Sequence, residues 1–554
     1  MTTTSHEHTA ASSAWPEYSL TIGRILDHGV RRAPDQEIVY YNKVRLTYRA
    51  FRERVSRLAS ALATLGVKYG DTVGVMDWDS HRYLECFFAI PMMGAVLHTI
   101  NVRLSPEQVL YTINHAEDDI LIVNSEFLPI LEQIWNRVDA GKKLVIIDDE
   151  APPIAHTFQF LGEYEALLAA ASPSYDFPTF DENTEATTFY TTGTTGLPKG
   201  VHFSHRQLVL HTMTVCVALA GPGHGRFNGD DVYMPLTPMF HVHAWGLPYA
   251  ATMLGAKQIY PGRYHAEGLL ALIAAEEVTF SHCVPTLLQM LLGRAEAQGL
   301  SLQGWKVLVG GAALPKALAL RALQRGIDIC SGYGMSETGP IVTISHLEPH
   351  MELWDLERQV EVRCKAGRPV PLVDLRIVDE EMNDLPHDGV SPGEIVLRAP
   401  WLTRGYVKEV HSSEALWRGG WLHTGDIAVI DEKGYVKITD RLKDVIKSGG
   451  EWVSSLDLED LIHKHPGIAE VAVIGVPDPL WTERPLAVVV VKQGHSVLAD
   501  EIKAHLKEFV SLGVISKFGV PDRIVFVDAI PKTSVGKINK KLLRQQYAAK
   551  LATK

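Results

Sequence analysis

Cysteine is scarce in this sequence, and its copies lie far apart. The five cysteines are Cys86, Cys216, Cys283, Cys330 and Cys364, and no two of them form a C-x-x-C pair. Disulfide frameworks use an even number of patterned cysteines, and structural zinc sites use closely paired ones. The sequence therefore indicates neither a disulfide scaffold nor a zinc site. It favours a reducing compartment, so we expect a cytoplasmic protein.

A signal peptide, a membrane-length apolar run and an excess of positive charge are also missing. The first residues have no basic start and no apolar core, so we expect a disordered tail over residues 1–20. The most apolar window, residues 84–100, contains Glu85, Pro91 and His98, which favours a buried helix over a transmembrane one. A net charge of -12 argues against a broad surface for nucleic acid.

The order of apolar patterns along the chain predicts the fold class. A chain of 554 residues is too long for one hydrophobic core, so two or more domains are expected. From Thr47 into the 330s, strands such as DTVGVMDW alternate with helices such as YRAFRERVSRLASALATLGV, which should end at Gly66. Ser204 is suited to cap a helix, and later helices should open at Pro285 and Pro315. This alternation predicts an α/β fold with parallel sheets covered on both faces.

Beyond Gly367 the sequence becomes rich in strands. LRIVD and GEIVLRAP precede IAVIDEKGYVKITD, which predicts a hairpin that turns at residues 432–434. The last part mixes short strands with helices, as is typical of a small α+β domain. The charged stretch DRLKD is the natural joint between the two regions. We therefore predict a large N-terminal domain over residues 1–440 with a β-rich subdomain, a hinge over 441–444, and a mobile C-terminal domain over 445–554.

The stretch YTTGTTGLPKG, residues 190–200, combines hydroxyl groups, glycines and one lysine. Glycines let backbone N–H groups approach an anion closely, so the stretch is compatible with a phosphate-binding loop. Its spacing is not that of a Walker loop, because Gly193, Gly196 and Lys199 follow one another at intervals of three. Taken alone, the stretch predicts either another kind of phosphate loop or a flexible turn.

Four further motifs decide between these alternatives. GYGMSETG, residues 332–339, joins an aromatic face to a hydroxyl and a carboxylate, the groups that a purine, a phosphate and Mg²⁺ need. WLHTGD ends in Asp426, which can accept hydrogen bonds from two ribose hydroxyls. DRLKDVIKSGGEW places three basic residues beside a glycine pair, and PKTSVGK places Lys537 in a small loop.

With these motifs in this order over about residues 40–544, the chain resembles the adenylate-forming superfamily, which includes acyl-CoA synthetases, luciferases and peptide-synthetase adenylation domains. The stretch PMFHVHAWGLPYAATMLGAK, residues 238–257, is most similar to fatty acyl-CoA synthetases. The resemblance implies that residues 190–200 handle pyrophosphate. It also implies a ligase that uses ATP, Mg²⁺ and coenzyme A to activate a carboxylic acid as acyl-AMP and then form the thioester.

The resemblance also assigns residues to the nucleotide. Thr191 and Glu337 would hold Mg²⁺, and Tyr333 would stack on adenine. The other nucleotide-binding residues would be Thr192, Gly193, Thr194, Thr195, Lys199, Val242, Gly311, Ala312, Gly332, Ser336, Asp426, Arg441, Lys443 and Lys447. One position departs from the family pattern, because Ser331 stands where Gln, Asn or Asp usually reads adenine. We expect this contact to be weaker or mediated by water.

A second set of residues would act on the acid and on coenzyme A. Lys537, His241 and Glu337 are the expected catalytic residues, and Lys537 would lie between the carboxylate and the α-phosphate. Lys443 matches the hinge position about which the small domain rotates between the two steps. The expected substrate contacts are Trp245, which matches a tryptophan that gates an acyl tunnel, and Gly449, Gly450 and Trp452.

Simpler explanations exist for several of these residues. Trp245 and Trp452 are compatible with ordinary core positions. His241 and His243 are compatible with hydrogen-bonded pocket histidines without a catalytic role. Outside their motifs, Glu337 and Lys537 would be solvated surface charges.

Two other functions are alternatives to a free-standing CoA ligase. An adenylation domain that loads a carrier protein is disfavoured because no G-G-x-S site is present. A catalytically silent nucleotide-binding regulator is disfavoured by Lys537, Glu337 and Asp426 together. The apolar stretch AWGLPYAATMLGA favours a medium or long alkyl chain, although short thioether acids and aryl acids use the same scaffold. The expected partners are the acid, ATP and coenzyme A, with a homodimer as a further option.

Overall fold

The structure is a computed structural model that describes residues 18–139, 142–149, 158–191, 197–221, 227–448, 451–478, 480–533 and 536–551. Of residues 451, 452 and 548–551 only the backbone is described. The predicted disordered tail therefore lies outside the described residues up to residue 17. The part of this stretch that the structure describes, residues 18–20, is attached to the large domain, because the Leu20 N–H donates a hydrogen bond of 2.8 Å to Glu182.

Strands and helices alternate through most of the described chain. The strands are β1 (Glu37–Tyr40), β2 (Val44–Thr47), β3 (Thr72–Met76), β4 (Val96–Thr99), β5 (Ile120–Asn124), β6 (Lys143–Ile147), β7 (Gly162–Glu163), β8 (Glu185–Tyr190), β9 (Gly200–Ser204), β10 (Val232–Leu236), β11 (Lys257–Tyr260), β12 (Phe280–Cys283), β13 (Lys306–Val309), β14 (Asp328–Gly334), β15 (Ile341–Ile344), β16 (Arg368–Pro369), β17 (Asp374–Val378), β18 (Gly393–Arg398), β19 (Leu422–Ile430), β20 (Val436–Arg441), β21 (Ile446–Ser448), β22 (Glu451–Val453), β23 (Ile468–Asp478), β24 (Thr482–Val491) and β25 (Arg523–Phe526).

The helices lie between these strands. They are α1 (Gly23–Arg32), α2 (Tyr48–Thr64), α3 (His81–Met92), α4 (Pro106–Ala116), α5 (Leu128–Glu132), α6 (Tyr164–Ala170), α7 (His205–Leu219), α8 (Val242–Trp245), α9 (Leu247–Leu254), α10 (Ala266–Ala275), α11 (Pro285–Gln298), α12 (Lys316–Gln324), α13 (Leu356–Arg363), α14 (Val410–Leu416), α15 (Ser455–His463), α16 (Ala499–Ser511) and α17 (Lys540–Leu551).

Two largely parallel sheets form the α/β part, as predicted. In the described residues, one sheet has the strand order β7-β6-β5-β3-β4-β8-β9 and the other β16-β15-β14-β13-β12-β10-β11-β1-β2. The sequence did not predict the antiparallel strands at their edges, which are β9 in the first sheet and β2, β15 and β16 in the second. Such mixed edges are common on parallel sheets because an edge strand needs no crossover helix.

The strand-rich region and the C-terminal region also follow the prediction. An antiparallel sheet has the order β17-β18-β19-β20, and its last two strands form the expected hairpin. The C-terminal sheet joins β22-β21-β24-β23, with β25 beside β24. From Ile446 onward, buried apolar side chains pack with one another in clusters separate from those of the large domain. A turn over residues 442–445 connects β20 to β21.

Helix ends match the local sequence signals in most places. Ser204 caps α7, accepting a hydrogen bond from the Gln207 N–H, and Gly66 follows α2 with a φ of +92°. Pro285 opens α11, whereas Pro315 lies one residue before α12. The window 84–100 is only partly helical, because α3 ends at Met92 and β4 follows. Within the described residues, no helix is both long and apolar enough to cross a membrane.

The five cysteine thiols are free. Cys86, Cys216, Cys283 and Cys330 are buried, and Cys364 is partly exposed. Burial raises the pKa of the Cys364 thiol to about 12 and raises the pKa of the other four as well. All five thiols are therefore protonated at neutral pH.

Candidate active site

Three predicted nucleotide residues meet where the end of β14, in the nine-stranded sheet, approaches the paired strands β19 and β20 of the antiparallel sheet. The Tyr333 hydroxyl donates a hydrogen bond of 2.7 Å to Asp426 Oδ2. Arg441 Nε lies 3.2 Å from the other oxygen, Asp426 Oδ1, because the two residues are paired across β19 and β20. Asp426 raises the pKa of the Arg441 guanidinium, and burial raises the pKa of the Tyr333 hydroxyl. These contacts hold an aromatic face, a carboxylate and a cation in a fixed relation.

Glu337 lies in a short 3-10 helix over Ser336–Thr338 and is only 6% exposed. The Tyr406 hydroxyl donates a hydrogen bond of 2.6 Å to Glu337 Oε1. Burial raises the pKa of the Glu337 carboxyl, while the Tyr406 hydrogen bond and the charges of Arg441 and Lys199 oppose that rise. A buried carboxylate held beside two cations is prepared for ionic ligands.

The glycine-rich stretch connects β8 to β9 as the loop of an antiparallel pair. At its ends, the Thr191 N–H donates to the Lys199 carbonyl at 2.9 Å, and the Lys199 N–H donates to Thr191 Oγ1 at 3.2 Å. The Lys199 ammonium lies 4.6 Å from the centroid of the Tyr406 ring. Tyr406 therefore links the lysine of the loop to Glu337. The predicted residues Thr192, Gly193, Thr194 and Thr195 lie outside the described residues.

Tyr406 was not predicted from the sequence. It lies in a segment whose Val407 N–H donates to the Gly200 carbonyl at 2.9 Å. The stretch RGYV around it matches none of the motifs considered. Its role depends on contacts with Glu337 and Lys199, which are distant in the sequence, so no local sequence signal pointed to it.

Lys537 reaches the large domain from the C-terminal region. Its loop is closed by the Thr533 N–H, which donates to the Lys537 carbonyl at 2.7 Å. The side chain lies against Gly311, where an added Cβ would stand 3.4 Å from Lys537 Cε. Burial of the ammonium and the charge of Arg441 lower the Lys537 pKa to about 8, although Asp426 and Glu337 oppose that shift. The structure thus brings Lys537 together with the nucleotide residues.

The segment before Trp245 has an unusual backbone. Val242, His243, Ala244 and Trp245 have φ values of 48°, 52°, 48° and 61°, and Gly246 continues at 71°. α8 is therefore a left-handed turn, which costs about 1–2 kcal/mol for each L-residue. Such a conformation persists only where the surrounding structure holds it, and it is most frequent at functional sites.

His243 is one of the pocket histidines that the simpler explanation described. It is 1% exposed, and its Nε2 lies 2.7 Å from Thr187 Oγ1. The rings of Phe87 and Phe189 contact it edge-on, at 5.3 Å between ring centroids in each case. His243 is fully engaged in packing.

His241 precedes this turn, and Trp245 is its last residue before Gly246. Burial, followed by the charges of Lys537 and Arg103, lowers the His241 pKa to about 3, so the imidazole is neutral. Trp245 is 6% exposed, and its ring centroid lies 5.0 Å from that of His282. A Cβ added at Gly310 would stand 3.1 Å from Trp245 Cη2. The indole therefore lies between the turn and the Gly310–Gly311 backbone.

Four predicted residues lie close to this arrangement. Ser331 is 6% exposed, and its Oγ has no hydrogen-bond partner among the described residues. Strand alternation places Ser331 on the same face of β14 as Tyr333, so the polar edge of a bound base would satisfy it. Gly332 and Ser336 are partly exposed beside Tyr333, and Ala312 is exposed after Gly311.

The remaining predicted residues belong to the joint and the C-terminal sheet. Lys443 lies in the turn over residues 442–445, and burial lowers the pKa of its ammonium. Next to it, Asp444 forms an ion pair of 2.5 Å with Arg544. Lys447 lies on β21, where its N–H donates to Glu483 at 2.9 Å. Gly449 and Gly450 lie outside the described residues, and so does the side chain of Trp452.

The residues present fit Mg²⁺ bound together with phosphates. The described residues contain no cluster of three or more histidine, cysteine or acidic side chains that would form an all-protein metal site. Mg²⁺ is instead commonly held by one or two protein oxygens, water and substrate phosphates. The buried Glu337 carboxylate and the Thr191 hydroxyl are oxygen donors of this kind.

The chain forms two α/β sheets and a smaller C-terminal domain. A lysine from that domain lies at a pocket formed by an aromatic ring, a carboxylate and an arginine. Together these features define the class of adenylate-forming enzymes. The chain belongs to the AMP-binding enzyme family, whose profile matches residues 26–407. The profile of the AMP-binding enzyme C-terminal domain matches residues 457–537. The resemblance inferred from the motifs is confirmed.

Relatives with established names cover almost the whole chain. A long-chain-fatty-acid–CoA ligase of Thermus thermophilus is 43% identical over 506 residues, which is 91% of this chain and 90% of that protein. A 3-methylmercaptopropionyl-CoA ligase of Ruegeria lacuscaerulensis is 40% identical over 537 residues, 95% of this chain and 97% of that protein. The crystal structure of an anthranilate CoA ligase with anthranoyl-AMP has a TM-score of 0.84, with 24% identity and coverage of 98% and 99%, and it supports the fold. The chain is an acyl-CoA ligase that uses ATP, Mg²⁺ and coenzyme A.

Proposed function

We propose that this ligase activates a medium- or long-chain fatty acid as acyl-AMP and then transfers the acyl group to coenzyme A, releasing AMP and pyrophosphate. The observation that carries the proposal is the position of Lys537. Its ammonium interacts electrostatically with the nucleotide-side residues Asp426 and Glu337 and also with His241. A cation there would stand between a nucleotide and an acid.

The first step joins two anions, so positive charge must be fixed where they meet. A carboxylate oxygen of the acid forms a bond to the α-phosphorus of ATP, and the bond to pyrophosphate breaks. Lys537 would stabilise the charge shared by the carboxylate and the α-phosphate, and Lys199 would stabilise the departing pyrophosphate. The neutral imidazole of His241 would add no competing charge beside Lys537.

The nucleotide would be held by residues that already hold one another. Tyr333 would stack on the base, while Asp426 and Arg441 would bind the ribose. Glu337 and Thr191 would hold Mg²⁺, which supplies charge neutralisation between phosphate oxygens. Tyr406 would fix the Glu337 carboxylate in the orientation that this requires.

The second step needs space that Lys537 occupies. The thiol sulfur of coenzyme A forms a bond to the acyl carbon, the bond to AMP breaks, and the thiol proton is released. We propose that the C-terminal domain rotates about residues 441–444, withdraws Lys537 and presents Gly449 and Gly450 to the pantetheine chain. The support for this joint is the position of Lys443 in a turn between two sheets whose apolar side chains pack separately.

The apolar surroundings of the left-handed turn support an alkyl chain as the substrate. Trp245 and the α9 residues Leu247, Tyr249 and Ala250 are buried apolar side chains of this turn and of the helix that follows it. The relative from Thermus thermophilus is named for long-chain fatty acids. A short thioether acid is the second candidate, because a relative of similar identity is named for 3-methylmercaptopropionate.

A screen of acids tests the proposal. Release of AMP that depends on both the acid and coenzyme A would be measured with straight-chain acids from butanoate to hexadecanoate, with 3-methylmercaptopropionate and with benzoate. We expect the highest kcat/KM among the medium or long chains. A preference for the thioether acid would replace the fatty acid in the proposal. If pyrophosphate is released but the acyl group is not transferred to coenzyme A, the result would favour loading of a carrier protein.

Two further expectations remain predictions. A cytoplasmic location is supported by the five free thiols, which suit a reducing compartment. The homodimer suggested by the family resemblance would be tested by sedimentation velocity of the full chain across a range of concentrations.

A further inference from the structure

The segment that leads into the left-handed turn is tied to the seven-stranded sheet by two threonines. Thr99, the last residue of β4, donates from its hydroxyl to the Phe240 carbonyl at 3.0 Å. Thr187 of β8 lies 2.7 Å from His243 Nε2. Both threonines are almost completely buried. The neighbouring strands β4 and β8 therefore hold two successive points of the segment.

A third tie comes from a charged residue that no motif includes. Asp79 follows β3, the strand on the other side of β4, and is 3% exposed. Its Oδ1 accepts a hydrogen bond of 2.8 Å from the Met239 N–H, and its other oxygen accepts one from the Tyr264 hydroxyl. The backbone carbonyl of Asp79 accepts from the Gly262 N–H at 2.8 Å. Asp79 thus joins the loop after β3 to two other segments, one at Met239 and one over residues 262–264, beside the acid side of the site.

We infer that Asp79 is a positioning residue for the reaction, because it fixes the backbone of residues 239–246 and so places His241 and Trp245 against the acid. This inference rests on the proposed function, which assigns that side of the site to the acid. Asp79 itself would touch neither substrate. Hydrogen bonds to an ionised acceptor are roughly twice as strong as neutral ones, so the carboxylate is the strongest of the three ties.

The chain offers a matched control two residues away. Asp77 is also completely buried, and it accepts hydrogen bonds from the Ser80 hydroxyl at 2.5 Å and from Asn124 Nδ2 at 2.8 Å. None of its described contacts reaches residues 239–246. Replacing Asp77 removes a buried carboxylate from the same loop without releasing the segment that Asp79 holds.

The experiment compares Asp79→Ala, Asp77→Ala and Asp79→Asn in the full-length enzyme. We expect Asp79→Ala to raise the KM for the preferred straight-chain acid about tenfold or more, as expected for a lost hydrogen bond to a charged group, with the KM for ATP unchanged. Asp77→Ala should leave the ratio of the KM for the acid to the KM for ATP as in the wild type. Asp79→Asn should restore most of the acid KM, since its amide oxygen can still accept from Met239.

Two outcomes would overturn the inference. One is an equal change in both KM values, and the other is the same effect on the acid KM from both alanine variants. Either would give Asp79 a purely structural role. A wild-type enzyme that releases no AMP with any acid would instead refute the proposed function.

The dependence on pH gives a second readout, which also decides the matter if Asp79→Ala does not fold. Burial raises the Asp79 pKa to about 7, and Arg103 and the two hydrogen bonds oppose that rise. The other titratable groups that interact with it electrostatically include Asp77, Tyr264, Tyr83, Tyr233 and Tyr260. As pH falls through 7, Asp79 becomes protonated and its hydrogen bond with the Met239 N–H weakens to that of a neutral acceptor, so the wild-type acid KM should rise slightly, to the level of Asp79→Asn. Asp79→Asn should abolish this step, and a step that persists would overturn the inference.

Discussion

On the nucleotide side of the site, Tyr333, Asp426 and Arg441 hold one another through side-chain contacts, whereas on the acid side a left-handed backbone turn is held by buried residues of a different sheet. The first arrangement consists of the groups that we propose bind the nucleotide. In the second, the groups that hold the turn are distinct from those expected to meet the ligand. The nucleotide is common to every reaction of this family, so its contacts can be fixed. The acid differs between relatives. Because the residues that hold the turn belong to another sheet, the side chains that line the acid side can change while the residues that hold the turn stay the same.

The variant Lys537→Ala should have the largest effect, because Lys537 is the residue that both sides share. Formation of acyl-AMP should fall by about 10²–10³-fold, as when one preorganised charge-stabilising donor is removed. Thioester formation from synthetic acyl-AMP should remain largely intact. Separate rapid-quench assays of the two half-reactions would measure this. Equal loss in both would contradict the assigned role.

The pH dependence of the same half-reaction provides a control for Lys537. The ammonium must be protonated to act as a cation, and its pKa is lowered to about 8. The kcat/KM for adenylate formation, which reports ionisations of the free enzyme, should therefore fall as pH rises through 8. In Lys537→Arg the cation persists at high pH, so the remaining activity should lose this decline.

Lys443→Pro should separate the two steps without damage to either side of the site. Proline fixes φ near -65° and removes the backbone donor, which should restrict the turn over residues 442–445. In the structure Lys537 lies among the residues that we propose act in the first step, so acyl-AMP formation should survive better than its discharge. Single-turnover adenylate formation followed by a coenzyme A chase would measure both. Wild-type rates in the two phases would refute the hinge.

Trp245→Ala should affect the acid side alone. If the indole limits the length of the acyl chain, removing the indole opens space for a longer chain. Each further methylene that fills this space should then raise the kcat/KM of the variant by about fourfold relative to that of the wild type. The KM for ATP should stay unchanged. A uniform loss across all chain lengths would instead identify Trp245 as a core residue.

Tyr406→Phe should have the smallest effect, and only on the nucleotide side. The variant keeps the ring beneath Lys199 but removes the hydrogen bond to Glu337, which would raise the Glu337 pKa further. The Mg²⁺ concentration for half-maximal adenylate formation should increase by about tenfold or less. Titration of Mg²⁺ at fixed ATP would measure it. A changed chain-length profile would contradict the separation of the two sides.

The same difference explains what could be predicted from the sequence. The alternating pattern predicted the parallel sheets, and Ser204 and Pro285 predicted helix starts, because these signals act over a few residues. Asp426 and Tyr333 were predicted because ribose and purine require particular side-chain chemistry. Tyr406 and Asp79 could not be found, since their importance depends on which distant segments meet.

The left-handed turn was also hidden from sequence reasoning. Val242, Ala244 and Trp245 disfavour positive φ, so their local preferences point away from the observed conformation. Tertiary contacts hold it instead, among them those of Asp79, Thr99 and Thr187 with Met239, Phe240 and His243. The edge strands were missed for a similar reason, because the direction in which β9 and β15 pair is settled by the rest of the sheet.

The five protonated thiols make this chain a convenient host for spectroscopic labels. Maleimide dyes react with thiolates, so the native cysteines should remain unlabelled under brief treatment at neutral pH. Two cysteines introduced at exposed positions, Lys433 in the large domain and Lys507 in the C-terminal domain, would then carry a donor and an acceptor dye. If the small domain rotates as proposed, energy transfer between the dyes would report that rotation in real time, in single molecules, during each turnover.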